Sequence, residues 1–145
     1  MLSRSRLARS PIGSRLMTYV LPRAIVEASV KNVFGDPAKV TPELVDRYYD
    51  LTLRAGNRRA VAKRFAQSSA PSAVDRLPDL HMPTLILWGA KDHLIDPSTA
   101  ERFKQLIPGS SVVLFTALGH VPQEEDPVTT LRSLRPFLSD SASRQ

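Results

Sequence analysis

Apolar positions in the first half of the chain recur at helical intervals. Ile25, Val26, Ser29, Val30 and Val33 predict a short helix over 22–33. Phe34-Gly35-Asp36-Pro37 stops it, since Gly and Pro punctuate a turn. Thr41-Pro42-Glu43 opens a second helix: Thr caps, Pro tolerates the first helical position, and Glu suits the positive end of the helix dipole. Leu44, Val45, Tyr48, Leu51 and Ala55 continue it until Gly56-Asn57. Residues 58–67 read as a third helix carrying Val61, Ala62 and Phe65, and the Ser-, Ala- and Pro-rich stretch 68–80 as a connection. The pattern then changes. Thr84–Gly89 (TLILWG) and Ser111–Phe115 (SVVLF) are apolar runs without alternation, which predicts short strands buried on both faces, as in a parallel sheet. Between them, Ala100, Phe103, Leu106 and Ile107 mark a helix over 98–107 that ends at Pro108-Gly109. After a loop over 116–123, Leu131, Leu134 and Phe137 give the inward face of a last helix over 126–138. Strand, helix, strand, helix is one β-α-β-α unit with two parallel strands.

Composition narrows the class. A chain of 145 residues suits one domain, with 42% hydrophobic and 23% charged residues as in a soluble globular protein. No apolar run approaches the ~18–20 residues of a membrane span. The absence of Cys excludes a disulfide scaffold, a cysteine nucleophile and a thiolate metal site, and it suits a cytoplasmic location. The formal charge of +6 is uneven: residues 1–80 hold 14 basic and 7 acidic residues, residues 81–145 hold 6 and 7. The basic residues are scattered through helical text rather than clustered, which argues for a solvated helix surface and against nucleic acid as a partner. The acid-free start, MLSRSRLARSPIGSRLMTYVLPR, also has the composition of an organelle-targeting presequence, although Pro11 and Gly13 interrupt it.

Two loops carry the candidate chemistry. Asp92 follows the first predicted strand and His120 the second, so a parallel βαβ unit projects both from one sheet edge, where ligands of α/β sheets bind. An Asp beside a His fixes the imidazole tautomer and supports its charged form, and the His then serves as general base. Asp96, four residues on and before Pro97, is a rival acid that better suits the start of the next helix. His93 reads as loop surface, His81 lies at the wrong strand end, and Trp88 reads as strand-end packing. Glu124, Glu125 and Asp126 suit the N-terminal end of the last helix. No His-x-x-x-His or carboxylate cluster suggests a metal site.

The text MPTLILWGAKDHLIDPSTAERFKQLIPGSSVVLFTALGHVPQEEDPVTTLRSLRPFL, over residues 82–138, resembles the C-terminal half of the α/β-hydrolase family. The resemblance rests on Trp88-Gly89-x-x-Asp92 and on Gly119-His120 after the last strand. It implies that Asp92 is the acid and His120 the base of a catalytic triad. It also implies that residues 1–80 are a helical lid, residues 81–140 the C-terminal part of the core and 141–145 a frayed tail. The implied fold is a partial α/β-hydrolase fold, with the lid preceding the β-α-β-α unit. The implied activity is nucleophilic hydrolysis of a small, largely apolar substrate such as an ester, lactone or epoxide, without a cofactor.

The nucleophile elbow of that family, Gly-x-Ser-x-Gly between a strand and a helix, has no counterpart in the sequence. Gly13-Ser14 lies in basic text, and Gly109-Ser110-Ser111 precedes the second strand at its amino end. The expectation is therefore a hydrolase fragment, inactive alone, that self-associates or pairs with a missing N-terminal half. The alternative is a non-catalytic interaction module on a hydrolase-like scaffold, with the basic half as its surface.

Overall fold

A computed structural model of the chain describes residues 21–66 and 73–142. The presequence-like segment up to residue 20, the Gly13-Ser14 pair and residues 143–145 lie outside the described residues. Contacts divide the chain into two units. Among the described residues, the first takes in 21–30 and 41–66, the second 31–40 and 73–142.

Helix α1 (Arg23–Val33), whose residues 23–30 lie in the first unit, buries Val26 and Val30, one helical turn apart. Helix α2 (Pro42–Leu53) starts as its sequence dictates. Thr41 Oγ1 accepts the Leu44 N–H at 3.2 Å, Pro42 occupies the first turn, and Val45 is buried behind it. Arg23 joins the starts of the two helices, through Nε to Asp46 Oδ1 at 2.7 Å and through Nη2 to the Pro42 carbonyl at 3.2 Å. This ion pair is exposed and screened by solvent, so it adds little to stability. Gly56, at φ 88°, turns the chain into α3 (Asn57–Ala66), a conformation a side chain would strain. Ile25 and Leu51, read as part of the apolar stripes, are exposed.

In the second unit the predicted strand–helix–strand–helix order is present as β1 (Leu85–Gly89), α4 (Ser98–Leu106), β2 (Ser111–Phe115) and α6 (Pro127–Ala142). A four-residue helix, α5 (Pro122–Glu125), begins in the stretch read as a loop and takes in Glu124 and Glu125, read as the start of the last helix. The connection before β1 ends in a 3-10 run, Ala73–Asp79. The two strands pair in parallel, Leu85 opposite Ser111 through Gly89 opposite Phe115. Helix α4 packs on both strands and α6 packs on β1. Among the described residues of this unit, the buried hydrophobic side chains include Phe34, Ile86, Ala100, Ile107, Phe115 and Leu118.

Two packing expectations are corrected. The strands are not buried on both faces: Leu114 is 48% exposed and Ser111 is exposed. Two strands make a ribbon with axes only about 5 Å apart, too narrow for its helices to cover every side chain. The inward face of the last helix is also displaced. Leu131 is exposed, whereas Thr130 is buried and donates its hydroxyl to the Pro122 and Asp126 carbonyls at 2.9 Å each. The inward row therefore runs Thr130, Leu134, Phe137 at spacings of four and three. The first two residues of the tail read as 141–145 belong to α6.

Candidate active site

The chain after β1 is pinned to the chain after β2. Ala90 N–H donates to the Phe115 carbonyl at 2.8 Å and Lys91 N–H to the Leu118 carbonyl at 2.9 Å. This brings Asp92 and His120 together. His120 Nδ1 lies 2.8 Å from Asp92 Oδ2. The Asp92 side chain is 2% exposed and that of His120 is 32% exposed, so the acid is sealed and the imidazole faces outward. Asp92 Oδ1 accepts the N–H groups of Leu94 and Ile95 at 2.8 and 3.0 Å. Burial pushes the Asp92 carboxyl up. The hydrogen bonds from Ile95, His120 and Leu94 and the attraction of the His120 charge outweigh that, and hold it below the usual carboxylate range. An ionised carboxylate only accepts, so the proton of a neutral His120 is on Nδ1, and Nε2 is left as the basic nitrogen. A cleft of about 120 Å³ lined by Leu87, Trp88, Gly89, Asp92 and His120 adjoins the pair.

The rival acid is elsewhere. Asp96 is exposed, and its Oδ1 accepts the Ser98 N–H at 2.8 Å at the start of α4. His93 and His81 are exposed. Trp88 both lines the cleft and packs against Phe103, ring centroids 6.1 Å apart. Among the described residues no group of three His, Asp or Glu side chains is placed to hold a metal ion.

The backbone of His120 is held as firmly as its ring. Its N–H donates to the Val33 carbonyl at 2.8 Å. Next to it, the buried carboxylate of Glu125 accepts three backbone N–H groups: Gly119 at 2.7 Å, Gly35 at 2.9 Å and Asp36 at 2.9 Å. The sequence treats the three acids over 124–126 alike, as charge at a helix start, and the structure separates them. Glu124 is exposed. Asp126 caps α6, with Oδ1 and Oδ2 on the Thr129 N–H and hydroxyl at 3.0 and 2.7 Å, which lowers its carboxyl range. Glu125 points inward. Its signal was masked by its neighbours, because the helix-dipole argument fits all three.

A family model described as alpha/beta hydrolase fold matches residues 8–127. The chain belongs to the α/β-hydrolase family. It is 32% identical over 89 residues to Lipase 1 of Psychrobacter immobilis, a match covering 59% of this chain and 28% of that protein. Over 57 residues it is 39% identical to Lipase 3 of Moraxella sp. (strain TA144), covering 39% of this chain and 18% of that one. Among solved structures, a serine hydrolase involved in carbazole degradation matches with a TM-score of 0.75 at 24% identity, over 83% of this chain and 48% of that chain. The chain thus spans less than a third of these two lipases and about half of the solved hydrolase. In this α/β-hydrolase-family chain the one Gly-x-Ser of the second unit, Gly109-Ser110-Ser111, opens β2. Ser111 pairs with Leu85, four residues before the strand ends at Gly89 and Phe115, roughly 13 Å from the Asp92 and His120 loops.

Proposed function

We propose that Asp92 and His120 are the acid and general base of a nucleophilic hydrolase acting on a small, largely apolar substrate, such as an ester, lactone or epoxide. The reading rests on one observation: a buried carboxylate 2.8 Å from Nδ1 of a partly exposed imidazole. In the proposed mechanism His120 Nε2 takes the proton of a hydroxyl nucleophile as that oxygen attacks the substrate. Asp92 holds the tautomer and stabilises the imidazolium, and His120 returns the proton to the leaving group. For a carboxylate nucleophile, His120 activates the water that breaks the covalent intermediate.

No Gly-x-Ser-x-Gly elbow occurs among these 145 residues, and in this reading the nucleophile is supplied by another segment. A triad without its nucleophile loses on the order of 10⁶-fold in turnover. The chain alone is therefore inactive, and it works with a segment that brings the elbow. The similarity to two lipases supports an ester as the first substrate to try.

The test is p-nitrophenyl butyrate hydrolysis by the chain alone, and by the chain co-expressed with the elbow-bearing half of a related hydrolase. The expected result is a buffer-level rate alone and a measurable rate when complemented. His120→Ala should abolish that rate and Asp96→Asn should leave it intact. Complemented activity that survives His120→Ala overturns the assignment.

A further inference from the structure

We infer that Glu125 is the positioning residue for His120, an inference that rests on the reading of His120 as the base. Its carboxylate is buried, and both oxygens are taken by backbone donors. Oε2 takes Gly119 N–H, the residue immediately before His120, together with Gly35 N–H, and Oε1 takes Asp36 N–H. The 33–36 segment is bound a second time, since His120 N–H donates to the Val33 carbonyl. One carboxylate therefore ties two loops far apart in sequence into a clamp around the His120 peptide.

The clamp fits too closely to be incidental. A Cβ on Gly35 would come within 2.7 Å of Gly119 N, and one on Gly119 would collide with the backbone around Gly35. Only glycine at both positions lets the two chains approach near enough for one carboxylate to reach all three amides. Hydrogen bonds to an ionised acceptor are roughly twice as strong as neutral ones. Without the carboxylate, three N–H groups at this junction lose their acceptor. The peptide plane at Gly119–His120 sets where the imidazole leaves the backbone, so the clamp fixes the direction from which Nδ1 meets Asp92. Asp92 orients the ring by its edge, and Glu125 orients it by its root.

The experiment is NMR of the full chain, reading the His120 imidazole nitrogens and the low-field proton on Nδ1. Glu125→Gln keeps the shape but turns an amide N–H₂ toward backbone donors. It should abolish the Nδ1 proton signal and mix the tautomers while circular dichroism stays native. Glu125→Asp, with the charge on a shorter arm, should give an intermediate signal, and Glu124→Gln should give the wild-type spectrum. Asp92→Asn separates the two ideas. A wild-type signal that Asp92→Asn leaves untouched sinks the catalytic reading itself. A signal lost in Asp92→Asn yet unchanged in Glu125→Gln sinks the clamp alone. If the Glu125 variants do not fold, hydrogen exchange of the wild-type protein decides. The Gly35, Asp36 and Gly119 amides should exchange at one common rate, matched by loss of the Nδ1 signal, and unrelated rates overturn the clamp.

Discussion

The backbones of Gly89 and Gly119 touch: a Cβ on Gly89 would fall on the carbonyl oxygens of Gly119 and Leu118. Gly89 closes β1 three residues before Asp92, and Gly119 precedes His120, so this contact sets the separation of the two loops that carry the pair. Replacement of Gly89 by Ala meets backbone, which has no rotamer to move aside. Overpacking of this kind costs about 1–3 kcal/mol, and the rigid obstacle puts Gly89→Ala at the upper end. Gly109→Ala is the contrast. Its Cβ meets nothing within 4 Å, and the cost is that of a positive φ, 72°, for a residue with a side chain, about 1–2 kcal/mol. Urea unfolding should rank Gly89→Ala as the less stable variant. The reverse order would mean that the two loops part without cost.

Asp92 links stability to pH. Its carboxyl lies below the usual range in the folded chain, whereas in the unfolded chain it titrates near about 3.9. A depressed carboxylate stabilises the fold fully above the unfolded value, and that contribution is lost as pH falls from there through the folded value. Asp92→Asn removes it. The stability gap between wild type and Asp92→Asn should therefore narrow as pH falls below about 4. A gap that stays level through the acid limb would show that the Asp92 hydrogen bonds do not favour its ionised form.

The β-α-β-α order, the parallel pairing and the Asp92–His120 contact were legible because each has a strong local source. These are apolar runs bounded by Pro and Gly, a topology that sends both strands one way, and two loops each holding one acid or base at the matching position. The exposure of Leu114 and Leu131 was not legible, because periodicity reports which residues are apolar and not how much neighbouring surface is there to cover them. Glu125 was hidden for another reason. Its partners are backbone amides 90, 89 and 6 residues away, and backbone amides leave no trace in side-chain composition. Gly35 had a local explanation as a helix stop, which concealed its close approach to Gly119.

The indole of Trp88 makes a prediction about an unmet donor. Its Nε1 is buried and has no acceptor among the described residues, while its ring packs on Phe103. A buried indole N–H that finds no acceptor costs stability, typically about 1–3 kcal/mol. Trp88→Phe keeps an aromatic ring against Phe103 and removes that donor, at the expense of some packed volume. The two effects oppose each other, so thermal unfolding of the variant should lie within about 1 kcal/mol of wild type, well short of the 3–5 kcal/mol typical when a packed aromatic is cut back to Ala. A loss in that larger range would mean that the indole N–H is satisfied by a bound water or another acceptor.

Leu114 leads to the last prediction. It lies 48% exposed on β2, opposite Trp88, in a sheet that has two strands among the described residues. A two-stranded ribbon is marginal in water by itself, and an apolar strand without a neighbour is a template for pairing with another chain. Met82, Leu94 and Ile95 are exposed in the same unit. The purified chain should run above its 16.1 kDa in size-exclusion chromatography with light scattering. Leu114→Lys should shift it toward the monomer mass, because a charge on an edge strand is costly to bury against a second sheet. The substitution lies five residues before Gly119 in sequence but outside the Asp92–His120 contact, so the Nδ1 proton signal of His120 should persist in the monomeric variant. A wild-type chain that elutes at 16.1 kDa and melts cooperatively would show that this two-stranded core is sufficient as it stands.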